Sequence, residues 1–151
     1  MMSEEENARN ARAFVDAFNK KDFDKALSYF VDDATLESPD GTFKGKNEIR
    51  RSFIAETQFP DLKITDYGVG MLVKGNLGVY EFEEEATYQG KKISVHVASV
   101  AEMKDGKFQS MRNYYDRLSI AKQAVKGWMA TRAVNSIINE MERPYHQQTR
   151  T

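Results

Sequence analysis

The chain of 151 residues contains no cysteine. It can therefore form no disulfide, thiolate metal site or cysteine nucleophile, and a cytoplasmic location is the default expectation. Long hydrophobic runs are absent as well: none approaches the roughly 20 apolar residues that a membrane-spanning helix needs. The acidic start, residues 1–6, does not resemble a secretory signal. These absences favour a protein that has no membrane partner.

An excess of charge of one sign is also missing. The 22 basic and 23 acidic side chains give a net charge of −1, so the composition offers no reason to expect nucleic acid as a partner. The two histidines, His96 and His146, lie fifty residues apart and, without cysteine, give no zinc-binding spacing. The average conceals an asymmetry. Residues 117–151 carry six basic and two acidic side chains, a net charge of +4, which leaves −5 for the rest.

Helical periodicity dominates the first third of the chain. Ser3 and Glu6 have the spacing of a capping box, and Asp22 is a favoured N-cap residue. Apolar residues recur at three- and four-residue spacing after these caps. We therefore predict helices over about 4–20, from 22 to near 29, and from beyond 45 to the Phe59-Pro60 step, with a brief strand over 34–38 before a turn at 39–41.

From Leu62 onward the apolar period changes to two, which is typical of strands. The predicted strands are 62–70, 78–88, 92–103 and 107–116. Asp105-Gly106 is a strong hairpin signal because a type I′ turn requires positive φ at both central positions. Consecutive strands on short turns indicate a curved antiparallel sheet with the early helices on one face, so the fold class is α+β.

The residues beyond Asp116 predict a helical extension. Apolar residues recur at helical spacing from Ile120 to Met141, which favours one long helix that ends before Pro144 and is weakened at Gly127. We expect the last seven or so residues to be frayed. The chain is therefore divided into a domain over 1–117 and an extension over 118–151.

Several short motifs within this order of elements resemble a known fold. They are Phe14-Val15, Phe18-Asn19, Asp22-Phe23-Asp24, residues 32–37, residues 88–92 and Ser110-Met111-Arg112. Over residues 5–117 they are similar to the ketosteroid isomerases and the SnoaL-like polyketide cyclases, which have the nuclear-transport-factor-two-like fold. The resemblance implies a cone-shaped sheet packed against the N-terminal helices, with a small-molecule pocket inside. It also implies a homodimer that uses the outer sheet face.

The catalytic residues of the ketosteroid isomerases are replaced. The resemblance implies an aspartate base, a tyrosine and a protonated aspartic acid. This chain has Ser38, Phe14 and Ser99 at the matching positions. Phenylalanine has no proton to donate, and a serine hydroxyl is far too weakly acidic or basic near neutral pH, so we do not expect steroid isomerisation by that mechanism. Tyr115-Asp116 matches a pair that commonly ends the last strand in the SnoaL-like group.

Strand alternation supplies an acid-base candidate without reference to a family. Tyr80, Phe82, Glu84, Ala86 and Tyr88 share one strand face, which is apolar apart from Glu84. If this face lines the interior, desolvation raises the pKa of Glu84 and suits it to acid-base work. The alternatives are that a bulge turns Glu84 outward or that a lysine or arginine pairs with it.

The same alternation predicts a pocket with apolar walls and a few polar groups, as in small-molecule sites. The walls are Phe14, Phe18, Leu36, Phe53, Phe82, Met111 and Tyr115, and the polar groups are Ser38, Ser99, Asn113 and Glu84. A packed core with satisfied hydroxyls is equally compatible with this pattern. Asp116 enters the pocket only through a bend, and a helix cap is its favoured interpretation. Asp40, two residues beyond Ser38, could reach the mouth of the pocket but is more simply a turn residue, and His96 joins the outer face.

Two functions agree with these residues. The first is a cofactor-independent isomerase or cyclase that moves a proton on a small, largely apolar or polycyclic carbonyl compound. Glu84 is then the first acid-base candidate and Asp116 the second, while Tyr115, Asn113 and Ser99 donate hydrogen bonds to a developing oxyanion. The second is a non-catalytic module for ligand binding or dimerisation, which the three replaced residues favour. The added helix agrees with it as well, since this helix could dock on a partner or cover the pocket.

Overall fold

The N-terminal helices begin where the sequence supplies caps. A computed structural model describes residues 2–146. In the capping box, Ser3 Oγ accepts a hydrogen bond from the Glu6 N–H (3.2 Å) and the Glu6 carboxylate accepts one from the Ser3 N–H (3.0 Å). The Asp22 carboxylate accepts one from the Lys25 N–H (3.1 Å). The helices are α1 (Glu4–Asn19), α2 (Phe23–Ser28) and α3 (Gly45–Ala55), which continues as a 3₁₀ turn over Glu56–Gln58. The three predicted helices are confirmed.

Six strands form a single sheet. They are β1 (Phe30–Ser38), β2 (Gly41–Lys44), β3 (Lys63–Lys74), β4 (Leu77–Tyr88), β5 (Lys91–Lys104) and β6 (Lys107–Tyr115), in the order β2-β1-β6-β5-β4-β3. The four long strands are antiparallel neighbours, as predicted. However, β1 runs parallel to β6, so the sheet is mixed and the prediction of an antiparallel sheet is wrong on this point. Alternation within a strand sets its faces but does not encode the direction of a distant partner.

The first hairpin contains a strand that the sequence pattern did not predict. β2 pairs with β1 from Ser38↔Gly41 to Thr35↔Lys44, around the turn at Pro39-Asp40. Its four residues are too few to display a period of two. The two-residue turn between β5 and β6 follows the prediction more closely. Asp105 and Gly106 have φ values of 50° and 77°, as a type I′ turn requires.

Phenylalanine side chains join the helices to the sheet. The fully buried Phe30 ring lies 5.4 Å from the Phe14 ring and 5.2 Å from the Phe108 ring, measured between centroids. Phe53 of α3 lies 5.3 Å from Phe18. Each aromatic pair of this kind contributes about 0.5–1.5 kcal/mol beyond its buried area. This cluster holds α1 and α3 against one face of the sheet.

Polar side chains fix α1 along β3. Arg12 donates two hydrogen bonds to the Asp66 carboxylate (2.6 and 3.1 Å), and Asp66 also accepts one from the Tyr80 hydroxyl (2.9 Å). Nearer the end of the helix, the Asn19 side chain bonds both the carbonyl and the N–H of Ile64. α1 is therefore tied to β3 at two points, which orients Phe14 toward the sheet.

The C-terminal extension consists of two helices instead of the one predicted. They are α4 (Arg117–Ala124) and α5 (Trp128–His146). Gly127 has a φ of 86°, a left-handed conformation that ends regular helix geometry. Pro144 lies inside α5, in its last turn, where its missing N–H removes a single helical bond. The predicted frayed end includes residues 147–151, which lie outside the described residues. The boundary between the two predicted parts of the chain, at 117, stays a prediction.

Across residues 2–146, no helix is long and apolar enough to cross a membrane. In the same part of the chain, no three histidine, aspartate or glutamate side chains are grouped so that they could hold a metal ion.

Candidate functional site

A cavity of about 750 Å³ lies between the helices and the inner face of the sheet. Residues of α1, α3, α4 and the long strands border it, and most of these side chains are apolar. This volume lies within the range of protein sites that enclose small organic molecules. The structure therefore has a cavity between the helices and the sheet, whereas the sequence pattern was compatible with either a cavity or a packed core.

The predicted pocket residues border this cavity. They are Phe14, Phe18, Leu36, Ser38, Phe53, Phe82, Glu84, Ser99, Met111, Asn113 and Tyr115. Those on β4, β5 and β6 lie on the strand faces that alternation grouped together. Their roles toward a ligand stay predictions.

Glu84 faces the cavity, and its carboxyl group forms no hydrogen bond or ion pair within residues 2–146. No bulge interrupts its strand, since Glu84 pairs in register with both Ile64 and Val95. Burial, followed by the negative charge of Glu56, raises the pKa of Glu84 to about 7 from its ordinary 4.5. Lys21 opposes this shift through its charge alone, because its ammonium group donates a hydrogen bond to the Leu62 carbonyl (2.7 Å). Neither alternative to an inward, unpaired Glu84 occurs in the structure.

Two further acidic residues share the cavity with Glu84, and sequence reasoning did not select either of them. Glu56 lies in the 3₁₀ turn after α3, and burial raises the pKa of its carboxyl group. Asp40 lies in the β1–β2 turn, as predicted, but it also borders the cavity and accepts a hydrogen bond from the Tyr115 hydroxyl. No local pattern identifies either residue, because their positions depend on turns that meet the sheet from distant parts of the chain.

Tyr115 is held in its protonated form at the same end of the cavity. Burial and the hydrogen bond to Asp40 raise the pKa of the Tyr115 phenol above its ordinary value. Arg117 is exposed but also borders the cavity, and its Nε lies 3.8 Å from the Asp40 carboxylate. Ser38 Oγ accepts a hydrogen bond from the Asp40 N–H (3.1 Å), so its hydroxyl supports the turn. The same cavity therefore holds a neutral phenol near the Glu84 carboxyl group and a cation beside Asp40.

Ser99 and Asn113 lie farther along the sheet than the sequence reasoning assumed. Ser99 pairs with Tyr80, four residues along β4 from Glu84, and Asn113 is the neighbour of Ser99 on β6. Four residues of strand span roughly 13 Å. The prediction that both side chains stabilise an oxyanion beside Glu84 is therefore wrong, because one carbonyl group cannot touch both places.

Asp116 is not part of the cavity. Its carboxylate caps α4 by accepting hydrogen bonds from the N–H groups of Leu118 (2.8 Å) and Ser119 (3.1 Å). The cap interpretation is confirmed. We therefore no longer consider Asp116 an acid-base candidate. It follows Tyr115 in the chain without bordering the cavity, and its carboxylate oxygen accepts the hydrogen bonds of the helix N-terminus.

Helix α4 covers one side of the cavity. Ile120, Ala121 and Ala124 border the cavity. The Gln123 side chain accepts a hydrogen bond from the Ser94 N–H (3.0 Å) and donates one to the Ser94 carbonyl (2.8 Å). These backbone groups lie beyond the last pairing of β5 with β6, so Gln123 replaces a missing strand partner. The sequence left open whether the added helix covers the pocket or docks on a partner, and its first part, α4, borders the cavity.

His96 lies on the outer sheet face, as alternation predicted. Its ring stacks on Tyr67 with centroids 3.7 Å apart, and its Nε2 lies 3.9 Å from the Glu83 carboxylate. It does not border the cavity. His96 is therefore not a base for chemistry inside the cavity.

This chain shares a family sequence pattern and a fold with known proteins. The SnoaL-like domain matches residues 11–111. No curated protein matches the chain. Among solved structures, TerC co-crystallised with polyporic acid is 19% identical, with a TM-score of 0.70 over 79% of this chain and 98% of TerC. An LEH-like epoxide hydrolase from M. tuberculosis is 19% identical, with a TM-score of 0.68 over 86% of this chain and 97% of its own.

A third similar structure is a hypothetical protein from Catenulispora acidiphila with a ketosteroid isomerase-like fold, in complex with trimethylamine. It is 17% identical, with a TM-score of 0.68 over 76% of this chain and 91% of its own. At these identities the structures support the nuclear-transport-factor-two-like fold alone. The match to the family pattern extends over about two thirds of the chain, from α1 to β6, and includes most of the cavity wall. On this evidence of pattern and fold, the chain belongs to the SnoaL-like domain family.

Proposed function

We propose that the protein is a cofactor-independent isomerase or cyclase that transfers a proton on a small, largely apolar carbonyl compound inside the cavity. The observation that carries this proposal is the unpaired Glu84 carboxyl group in an apolar cavity, with a pKa raised to about 7 by burial. A group with this pKa is present in both protonation states near neutral pH, so it can accept a proton and return it.

The proton balance is simple. Glu84 in its carboxylate form takes a proton from the carbon next to the ligand carbonyl, and the electron pair of that C–H bond moves toward the carbonyl oxygen. In the structure the single phenol proton of Tyr115 bonds Asp40. In the proposed step this hydroxyl turns to the ligand oxygen and donates its hydrogen bond there, while Arg117, beside Asp40, adds positive charge. Glu84 then returns the proton to the same or another carbon, so that no oxidant, reductant or cofactor is consumed.

Two of the similar structures support a small organic ligand. TerC was crystallised with polyporic acid, and the M. tuberculosis protein is an LEH-like epoxide hydrolase. The apolar wall of this cavity suits a ligand with a large hydrocarbon surface.

Exchange of hydrogen for deuterium tests the chemistry without knowledge of the natural substrate. With 4-acetylbiphenyl in D₂O, we expect the protein to accelerate loss of the methyl-ketone proton signal, at a rate that rises with pH through about 7. Glu84→Gln should abolish the acceleration. Glu85→Gln, which alters an exposed neighbour on the other strand face, should retain it. Equal exchange in Glu84→Gln and the unaltered protein would overturn the proposal.

The second candidate is a ligand-binding module without catalysis. The observation in its favour is that Phe14, Ser38 and Ser99 stand where the ketosteroid isomerases have their catalytic residues. In that case a ligand binds the cavity with equal affinity in the unaltered protein and in Glu84→Gln, and neither accelerates exchange.

We also propose that two copies associate through the outer face of the sheet. Exposed apolar side chains on β3, β4 and β6 favour this face, among them Leu72 and Tyr114, each 57% exposed. Light scattering after size-exclusion chromatography is expected to give twice the chain mass of 17.3 kDa. A monomer at all concentrations would contradict the dimer.

A further inference from the structure

Two polar side chains in the cavity wall have no partner in the protein. Ser99 is only 7% exposed and borders the cavity, and its hydroxyl makes no hydrogen bond within residues 2–146. Asn113, directly across on β6, also borders the cavity, and its Oδ1 is buried without a partner in the same part of the chain. Leaving a buried polar atom unpaired costs about 1–3 kcal/mol, so such atoms are rare unless something outside the chain binds them.

Their surroundings separate them from the reacting end of the cavity. Ser99 lies opposite Tyr80, and Glu84 lies four residues farther along the same strand, roughly 13 Å away. Between them the inward face of the sheet carries apolar side chains, Phe82 of β4 and Val97 of β5, which pair directly. The cavity therefore has polar groups at two places along the strands and an apolar wall between them.

We propose that Ser99 and Asn113 bind a second oxygen-bearing group of the ligand, and that the ligand is an elongated aromatic or polycyclic ketone with a hydroxyl or carbonyl group about 10 Å from its reacting carbonyl. This assignment rests on the proposed function for the position of the reacting carbonyl. A serine hydroxyl and an asparagine amide can each donate and accept hydrogen bonds, so together they satisfy either kind of oxygen. A ligand without this oxygen leaves both side chains unpaired, so the site should bind ligands that carry the oxygen more tightly than ligands that lack it.

Two probes that differ in one oxygen atom test this proposal. They are 4-acetylbiphenyl and 4-acetyl-4′-hydroxybiphenyl, whose added hydroxyl lies at the far end of the molecule from the ketone. By isothermal titration calorimetry the unaltered protein should bind the hydroxylated probe about 3- to 10-fold more tightly, the gain expected of one or two neutral hydrogen bonds. Ser99→Ala should reduce this preference, and Ser99→Ala with Asn113→Leu should reduce the affinity ratio to about 1.

Ser110→Ala is a matched control. The Ser110 hydroxyl is also buried without a partner in the described residues and lies on β6, but Ser110 does not border the cavity. Removal of the Ser110 hydroxyl should leave the preference for the hydroxylated probe unchanged. Equal affinities of the unaltered protein for the two probes, failure of both probes to bind, or an undiminished preference in the double variant would each overturn the proposal.

Glu84→Gln separates this proposal from the proposed function. The variant should retain the preference for the hydroxylated probe, since Glu84 lies away from the Ser99–Asn113 pair. A protein that prefers this probe but never accelerates exchange would refute the proton-transfer function and support the subsite. Acceleration of exchange without any preference would support the function and overturn the subsite.

Discussion

Three consecutive glutamates of β4 have identical side chains and different surroundings. Glu83 lies on the outer face near His96, Glu84 borders the cavity, and Glu85 is exposed. Successive side chains of a strand point to opposite faces, so the three carboxylates do not converge on one ion. Burial raises the pKa of Glu84 to about 7. Burial of one carboxyl group, and not the acidic run, creates the candidate acid-base residue.

Glu84 should make the stability of the fold depend on pH. Its pKa is 4.5 in the unfolded chain and about 7 in the folded protein, so the folded state binds its proton more tightly. Ionising the buried Glu84 therefore lowers the free energy of unfolding. This loss is absent below pH 4.5, grows as the pH rises and is complete above 7, where it reaches about 3 kcal/mol. Glu84→Gln should therefore raise the free energy of unfolding most at pH 8 and least at pH 4, as measured by urea denaturation.

Glu85→Gln provides the comparison, because Glu85 is exposed and is the next residue of the same strand. Its stability difference from the unaltered protein should stay constant over this pH range. A Glu84→Gln difference that is equally independent of pH would mean that the Glu84 carboxyl group is solvated.

Substitutions of Asp116 can distinguish its role as a helix cap from a role in catalysis. Asp116→Ala removes the cap of α4 and should destabilise the protein by about 1 kcal/mol. Asp116→Asn retains a capping oxygen and should preserve both the stability and the exchange rate. A large loss of exchange in Asp116→Asn, with the fold intact by circular dichroism, would return Asp116 to the catalytic candidates.

At the scale of elements, α4 links the extension to the cavity. It is capped at the end of β6 and bonded to β5 through Gln123, and its apolar side borders the cavity. A short helix held by a few hydrogen bonds is a low-stability element, so its opening controls access to what it covers.

Gln123→Ala should loosen this cover. The Ser94 N–H and carbonyl then lose their partner, so we expect faster hydrogen exchange at the Ser94 amide and faster dissociation of 4-acetyl-4′-hydroxybiphenyl. Lys122→Ala, on the exposed side of the same helix, should change neither rate. An unchanged Ser94 exchange rate in Gln123→Ala, measured by NMR, would contradict this role of Gln123.

At the scale of the whole molecule, α5 stands apart from the cavity. It packs mainly against α4 and leaves large apolar side chains exposed, among them Trp128 (72%), Met141 (62%) and Tyr145 (80%). Cavity-bordering residues end at Ala124, before α5 begins. We therefore expect the fold and the cavity to form without α5.

A truncation after Lys126 tests this separation. We expect the shortened protein to fold with nearly the same midpoint of urea denaturation and to bind 4-acetyl-4′-hydroxybiphenyl as the full chain does. A truncation after Arg117 also removes the cover and should weaken binding. If the first truncation already abolishes binding, α5 contributes to the site and the two parts are not separable.

The sequence by itself determined the local features of this protein. The caps at Ser3, Asp22 and Asp116, the hairpin turn at Asp105 and the inward position of Glu84 each depend on residues within a few positions of one another. Capping and alternation are short-range effects, so a single sequence encodes them fully.

The tertiary structure decided the features that join distant segments. The parallel pairing of β1 with β6 and the approach of Glu56 to the cavity were not readable from any local pattern, and the sequence left open whether Asp40 and the added helix reach the cavity. Asp40 and Tyr115 are 75 residues apart, yet they share a hydrogen bond. The empty volume in the cone has the same origin: apolar residues on inward faces specify what borders the interior, and only the packing of helices against the sheet sets how much space they enclose.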